Sequence, residues 1–305
     1  MLSSMFAGLS TALATPFFPN GDINWEALRT LVEMQIEAGV NSLVPCGTTG
    51  ESPTLTPDEQ IEVIKFVVEV VGRRVPVLAG TGSNCTAEAI YLTNRAKKVG
   101  ANGALVVLPY YNKPPEAGQI DYFQKIAEVG LPIIAYDIPG RTGIQMSAKT
   151  ILKLAAEGTI VGLKWASGDF NQLMDVIQGR PDGFTILSGD DNLTLPLMAL
   201  GGDGVISVVS NLIPKIMKEF IDEAQLHESA NTQEYHYNLL DLMRAMFITT
   251  NPIPIKTALS IIDPLTFGEE PGFRSPMVPM EKNEVEKLAA IISVYRERGI
   301  LPKEQ

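Results

Sequence analysis

Histidine and cysteine are scarce in this chain, with two of each in 305 residues. Cys46 and Cys85 are too few for a disulfide framework and have no CxxC spacing for zinc or redox work, so a reducing, cytoplasmic compartment is the simplest expectation. His227 and His236 are both remote from the apolar segments, and no metal site is expected. Positive charge is also short: 24 Lys and Arg against 35 Asp and Glu give a net charge of -11. That balance repels nucleic acid and anionic membranes and leaves a small molecule as the expected partner. No stretch approaches the roughly 20 apolar residues that a membrane span needs. Ala12-Leu13-Ala14 has the small-x-small form of a cleavage site, but no basic residue precedes Arg29, and Ser3, Ser4, Gly8, Ser10 and Thr11 interrupt any apolar core. No targeting segment is expected.

What is present is apolar sequence in short, regular pieces. At 45% hydrophobic, the chain suits either two ordinary domains or one α/β barrel with an extension. Strand-like runs end at Ala14, Pro45, Gly80, Leu108, Asp137, Lys164, Ser188 and Val208, each followed by helical pattern. The helix starts are marked: Asn24 suits an N-cap, and Thr56-Pro57-Asp58-Glu59 combines an N-cap, a proline at the first helical position and a capping box. Eight such units predict a parallel (β/α)₈ TIM barrel over residues 1–225, with a small helical C-terminal extension over 226–305. A doubly wound open sheet is the alternative. Its dinucleotide-binding form calls for GxGxxG after the first strand, and only Gly80-Thr81-Gly82 appears, in the wrong place.

The stretch Thr159-Ile160-Val161-Gly162-Leu163-Lys164 delivers one lysine to the end of an apolar strand. An amine held in a poorly solvated mouth has a depressed pKa and attacks carbonyl groups to form a Schiff base. A lysine that merely ends a strand in a salt bridge fits the segment as well. The catalytic face of a barrel lies at the C-terminal strand ends, and other reactive groups gather there. They are Thr48, Thr49, Tyr110, Tyr111, Tyr136, Arg141, Gly189 and Ile206. Singly each also has a structural role open to it. Asp190 and Asp191 read as caps of the helix beginning near Asn192. Gly201-Gly202-Asp203-Gly204 falls before a strand and so on the opposite face.

Together the motifs Gly47-Thr48-Thr49-Gly50-Glu51, Tyr110-Tyr111-Asn112-Lys113-Pro114, Tyr136 with Pro139-Gly140-Arg141-Thr142-Gly143, Gly162-Leu163-Lys164 and Leu187-Ser188-Gly189-Asp190-Asp191 resemble the dihydrodipicolinate synthase family in order and spacing. That family belongs to the pyruvate-dependent class I aldolases that share the N-acetylneuraminate lyase fold. The resemblance implies a cofactor-free enzyme in which Lys164 forms an imine with pyruvate and the derived enamine attacks L-aspartate 4-semialdehyde. It implies Tyr136 as general acid and base, Thr49 as proton relay to Tyr111, and a homotetramer in which Tyr111 crosses the tight dimer interface. Thr48 and Thr49 would hold the pyruvate carboxylate, Gly189 and Ile206 would line the site, and Arg141 would bind the semialdehyde carboxylate. Ser52, Asn84, Glu88 and Tyr110 match the pattern of an allosteric lysine site, whereas Pro53, Pro57 and Gln60 do not. Trp165 replaces the glutamate that the resemblance calls for and is expected to reshape the mouth. A sugar-acid lyase of the same fold and a non-catalytic metabolite-binding barrel are the alternative readings, with Arg141 favouring the synthase.

Overall fold

Alternation of short apolar runs with capped helices closes this chain into a barrel. The structure, a computed structural model, describes residues 3–226 and 229–302; His227 lies outside the described residues. The strands are β1 (Gly8–Ala12), β2 (Ser42–Val44), β3 (Leu78–Gly80), β4 (Gly103–Val107), β5 (Ile133–Asp137), β6 (Gly162–Trp165), β7 (Thr185–Ser188) and β8 (Gly204–Ser207). Every ladder is parallel, in the order β2-β1-β8-β7-β6-β5-β4-β3. The remaining seam, β2 to β3, is joined by a parallel bridge between Leu43 and Val77 and by the Gly80 N–H donating to the Pro45 carbonyl at 2.9 Å.

The helices are α1 (Trp25–Glu37), α2 (Pro57–Val71), α3 (Thr86–Lys98), α4 (Glu116–Ala127), α5 (Pro139–Thr142), α6 (Ala148–Ala156), α7 (Phe170–Gly179), α8 (Thr194–Ala199), α9 (Pro214–Gln225), α10 (Ser229–Ala245), α11 (Ile253–Ile262), α12 (Pro264–Phe267) and α13 (Lys282–Glu297). The expected cap of α2 is present in full. Thr56 accepts from the Glu59 N–H while the Glu59 carboxylate accepts from the Thr56 N–H, worth about 1 kcal/mol. Asn24 likewise accepts from the Ala27 N–H and starts α1.

Strand side chains alternate between the lumen and the layer beneath the helices. The lumen holds its own apolar cluster of Ala12, Val44, Leu78, Leu105, Ile134, Tyr136, Leu187 and Ile206, floored by Phe6. Gly103 makes room for that floor, since a Cβ there would lie 2.7 Å from Phe6 Cζ. The outer face of the strands, including Leu163 and Trp165, joins the larger core under the helices. Beyond α9, α10 packs on α8 and α9, while α11 and α12 return to the barrel beside α1 and the turn after β8. Among the described residues no helix is long and apolar enough to cross a membrane.

Candidate active site

Lys164 stands at the C-terminal end of β6 with its amine in the lumen, because Gly162 and Lys164 take inward positions and Leu163 and Trp165 outward ones. It is 5% exposed. Burial pushes its pKa down from 10.5 to about 8; the carboxylates of Asp190 and Asp191 act against that, and the Arg141 guanidinium adds to it. Tyr136 is its register partner on β5, and the lysine Nζ lies 4.1 Å from the tyrosine ring centroid. Burial also pushes the Tyr136 phenol well above its usual value, helped by Asp190 and opposed by Arg141 and by a hydrogen bond with Thr48. The phenol therefore keeps its proton near neutrality. Gly189 is what lets the lysine extend: a Cβ there would sit 2.7 Å from Ala166 Cβ and 3.2 Å from Lys164 Cε.

The turn after β2 brings Thr48 and Thr49 to the same end. Thr48 acts on the Tyr136 phenol, lowering its pKa against the effect of burial, while the Thr49 hydroxyl accepts from Asn251 Nδ2 at 3.2 Å. Just beyond, Glu51 adopts a left-handed φ of +52° and is nine-tenths buried or more. Its carboxylate forms an ion pair with Lys256 of α11, whose Nζ also lies 4.1 Å from the Phe17 ring centroid. Burial brings the Lys256 pKa down to about 8, with Glu51 opposing. Arg141, on α5, donates from Nη2 to the Asn251 carbonyl at 3.0 Å.

Thr48 and Arg141 open onto a cleft of about 370 Å³ that also has Ser52, Glu88 and Tyr110 in its wall, together with Pro53, Pro57 and Gln60. Asn84 is outside that wall, its carbonyl taken by Asn112 Nδ2 at 2.7 Å. Glu88 is engaged by the Ser83 hydroxyl. Tyr111 does not join the group within one chain. It is 90% exposed and held at a left-handed φ of +73°. Ile206 lies in the luminal cluster.

Two expectations change. Trp165 does not shape the mouth: it points away from the lumen, is buried, and packs edge-on against Phe170 of α7 at 5.0 Å between centroids. Asp190 and Asp191 do not cap their own helix. Asp191 Oδ2 instead accepts from the N–H groups of Val208 and Val209, tying β7 to the turn after β8. Asp190 makes no cap bond, and its charge acts on Lys164 and Tyr136. Sequence reasoning also missed Asn251, Glu51 and Lys256 as supports. Lys256, the single charged residue of the mostly apolar Ile253–Ile262, was the available signal, since such a buried charge is kept only when paired.

Known proteins match nearly the whole chain in sequence and backbone. Residues 5–295 match the model of the dihydrodipicolinate synthetase family. The 4-hydroxy-tetrahydrodipicolinate synthase of Maridesulfovibrio salexigens is 47% identical over 287 residues, which is 93% of this chain and 97% of that one. The crystal structure of dihydrodipicolinate synthase from Aquifex aeolicus superposes with a TM-score of 0.93 at 43% identity, covering 98% of this chain and all of that one. The chloride-inhibited dihydrodipicolinate synthase of Acinetobacter baumannii, solved in complex with pyruvate, gives 0.92 at 39% identity over 97% of this chain and 100% of that one. With close relatives matching from end to end in both sequence and backbone, this chain belongs to the dihydrodipicolinate synthetase family.

Proposed function

We propose that this protein condenses pyruvate with L-aspartate 4-semialdehyde to 4-hydroxy-tetrahydrodipicolinate, feeding diaminopimelate and lysine synthesis. The observation that carries the reading is a buried lysine amine, lowered to about pKa 8, beside a phenol that keeps its proton. The unprotonated Lys164 amine adds to the pyruvate ketone, and loss of water leaves an imine. Tyr136 gives and takes the protons of that step, with Thr48 as its hydrogen-bonded neighbour. Removing a methyl proton from the imine gives the enamine, which attacks the aldehyde; the amine of the second substrate then adds to the imine carbon and displaces the Lys164 amine, closing the ring and freeing the lysine. Thr48 and Thr49 present hydroxyls and backbone N–H groups to the pyruvate carboxylate, and Arg141 pairs with the carboxylate of the second substrate. Gly189 and Ile206 line the imine. Asn251 is a positioning residue that links the two anion receptors, through Thr49 on one side and Arg141 on the other.

Tyr111 completes the site from a neighbouring subunit in a homotetramer; its exposure and left-handed backbone support that role, since an ordered strained loop needs something to brace it. The enzyme acts in the cytoplasm. Intact-protein mass after incubation with pyruvate and borohydride tests the reading, beside Lys164→Ala and a coupled assay with the semialdehyde. A reduced pyruvate adduct on the native chain alone, with turnover, is the expected result. No adduct would return Lys164 to a structural role.

A further inference from the structure

The semialdehyde carries an ammonium group on the same carbon as the carboxylate assigned to Arg141, and that cation needs a receptor of its own. Three acids stand at the C-terminal ends of the barrel strands around Lys164. Asp137 points outward from β5 and is wholly buried, with Oδ1 facing the Met146 N–H at 3.4 Å. Asp191 is spent on the Val208 and Val209 N–H groups. Asp190 is the exception. Its backbone is held firmly, with its N–H donating to Ser188 Oγ and its carbonyl accepting from the Ser188 and Thr194 hydroxyls. Its carboxylate caps nothing, forms no ion pair among the described residues and is only half-buried. It follows Gly189, the residue packed against the Lys164 side chain, so a fixed backbone holds this carboxyl where its charge acts on the reacting amine, while burial raises its pKa from the usual carboxylate value. The other unpartnered acceptor near Arg141, Asn251 Oδ1, is sealed from solvent.

We infer that Asp190 receives the α-ammonium of the aldehyde substrate and so selects an amino-aldehyde over one without the amine. The inference rests on the proposed reaction. Arg141 and Asp190 then read the two charges of one amino-acid head group, the first its carboxylate and the second its ammonium. Such pairing of opposite charges at separate points favours the zwitterionic substrate over the anionic, desamino one. Asp190 forms no covalent bond, and it must let go of the ammonium as the free amine before that nitrogen closes the ring.

The test compares native protein with Asp190→Asn using L-aspartate 4-semialdehyde and 4-oxobutanoate, the same aldehyde without the amine. Borohydride trapping of pyruvate is run in parallel. The expected result for Asp190→Asn is a rise of roughly 10- to 100-fold in KM for the semialdehyde, with 4-oxobutanoate binding changed less than about threefold. Pyruvate trapping on Lys164 persists at saturating pyruvate. An equal loss for both aldehydes, or native protein that does not prefer the amino-aldehyde, overturns the inference. Because 4-oxobutanoate has no amine to close the ring, the two aldehydes are compared by their binding to the pyruvate-loaded protein, and Asp190→Glu, retaining the charge, should recover part of the preference. Absence of a pyruvate adduct on native protein would instead refute the proposed reaction.

Discussion

Imine formation should titrate with the Lys164 amine. Its ordinary pKa is 10.5 and burial brings it to about 8. At pH 7 an ordinary lysine has roughly one amine in 3,000 unprotonated, and at a pKa near 8 roughly one in ten, a gain of about 300-fold in nucleophile. The perturbation is a pH series from about 6 to 10, and the assay is the initial rate of cyanoborohydride-trapped pyruvate adduct by mass spectrometry. The rate should rise about tenfold per unit and level off near 8. A rise that continues unbroken to about 10 would refute the argument, because the amine would then be solvated like any surface lysine. The same shift has a folding cost. Between about 8 and 10.5 the unfolded chain holds this proton and the folded chain does not, so the group's contribution to stability improves as pH rises through that window. Below it the full cost applies, about 3 kcal/mol as an upper bound. Lys164→Met removes the cost. Urea unfolding should find the variant more stable than native protein at neutral pH, with the difference shrinking towards pH 10. Comparing the two curves cancels Lys256, which is shifted in the same direction.

Other substitutions separate the remaining roles. Gly189→Ala places a methyl group against Lys164 Cε and Ala166, so adduct formation should fall steeply while the thermal midpoint moves by only a few degrees; an unaffected trapping rate would sink the packing argument. Trp165→Phe should leave kcat and both KM values within about threefold, because the indole Nε1 has no partner to lose, whereas Trp165→Ala should cost roughly 3–5 kcal/mol in a urea titration. Glu51→Gln or Lys256→Met alone should destabilise by about 3–5 kcal/mol, and the double substitution should cost less than the two together; strict additivity in that cycle would argue that the pair does not act as a unit. L-lysine should inhibit weakly or not at all, because Pro53, Pro57 and Gln60 give the cleft few donors and acceptors and Glu88 is already engaged by Ser83. Calorimetry and steady-state inhibition check that, and sub-millimolar inhibition would contradict it.

The barrel was legible because its signal is local and repeated. Each strand is a short apolar run, and caps such as Thr56 with Glu59 are written within four residues. The lysine was legible for the same reason, as one charge at the end of an apolar strand. Direction of side chains was harder. Trp165 follows Lys164, so the pleat turns it outward, yet its size drew attention to the mouth. The carboxylates were harder still, since Asp191 spends its side chain 17 residues away and no local pattern records that. Asn251 and Lys256 reach back more than 200 residues to Thr49 and Glu51, beyond what adjacency in sequence conveys.

That return of the chain onto its own beginning gives the protein an order in time. Every strand of the barrel is synthesised before Asn251 and Lys256 leave the ribosome. Until then the turn that carries Thr48 and Thr49 lacks its brace, Glu51 has no counter-ion, and Arg141 has no carbonyl to hold it. A chain that ends before Asn251 therefore lacks the groups that hold the Thr49 hydroxyl and the Arg141 guanidinium.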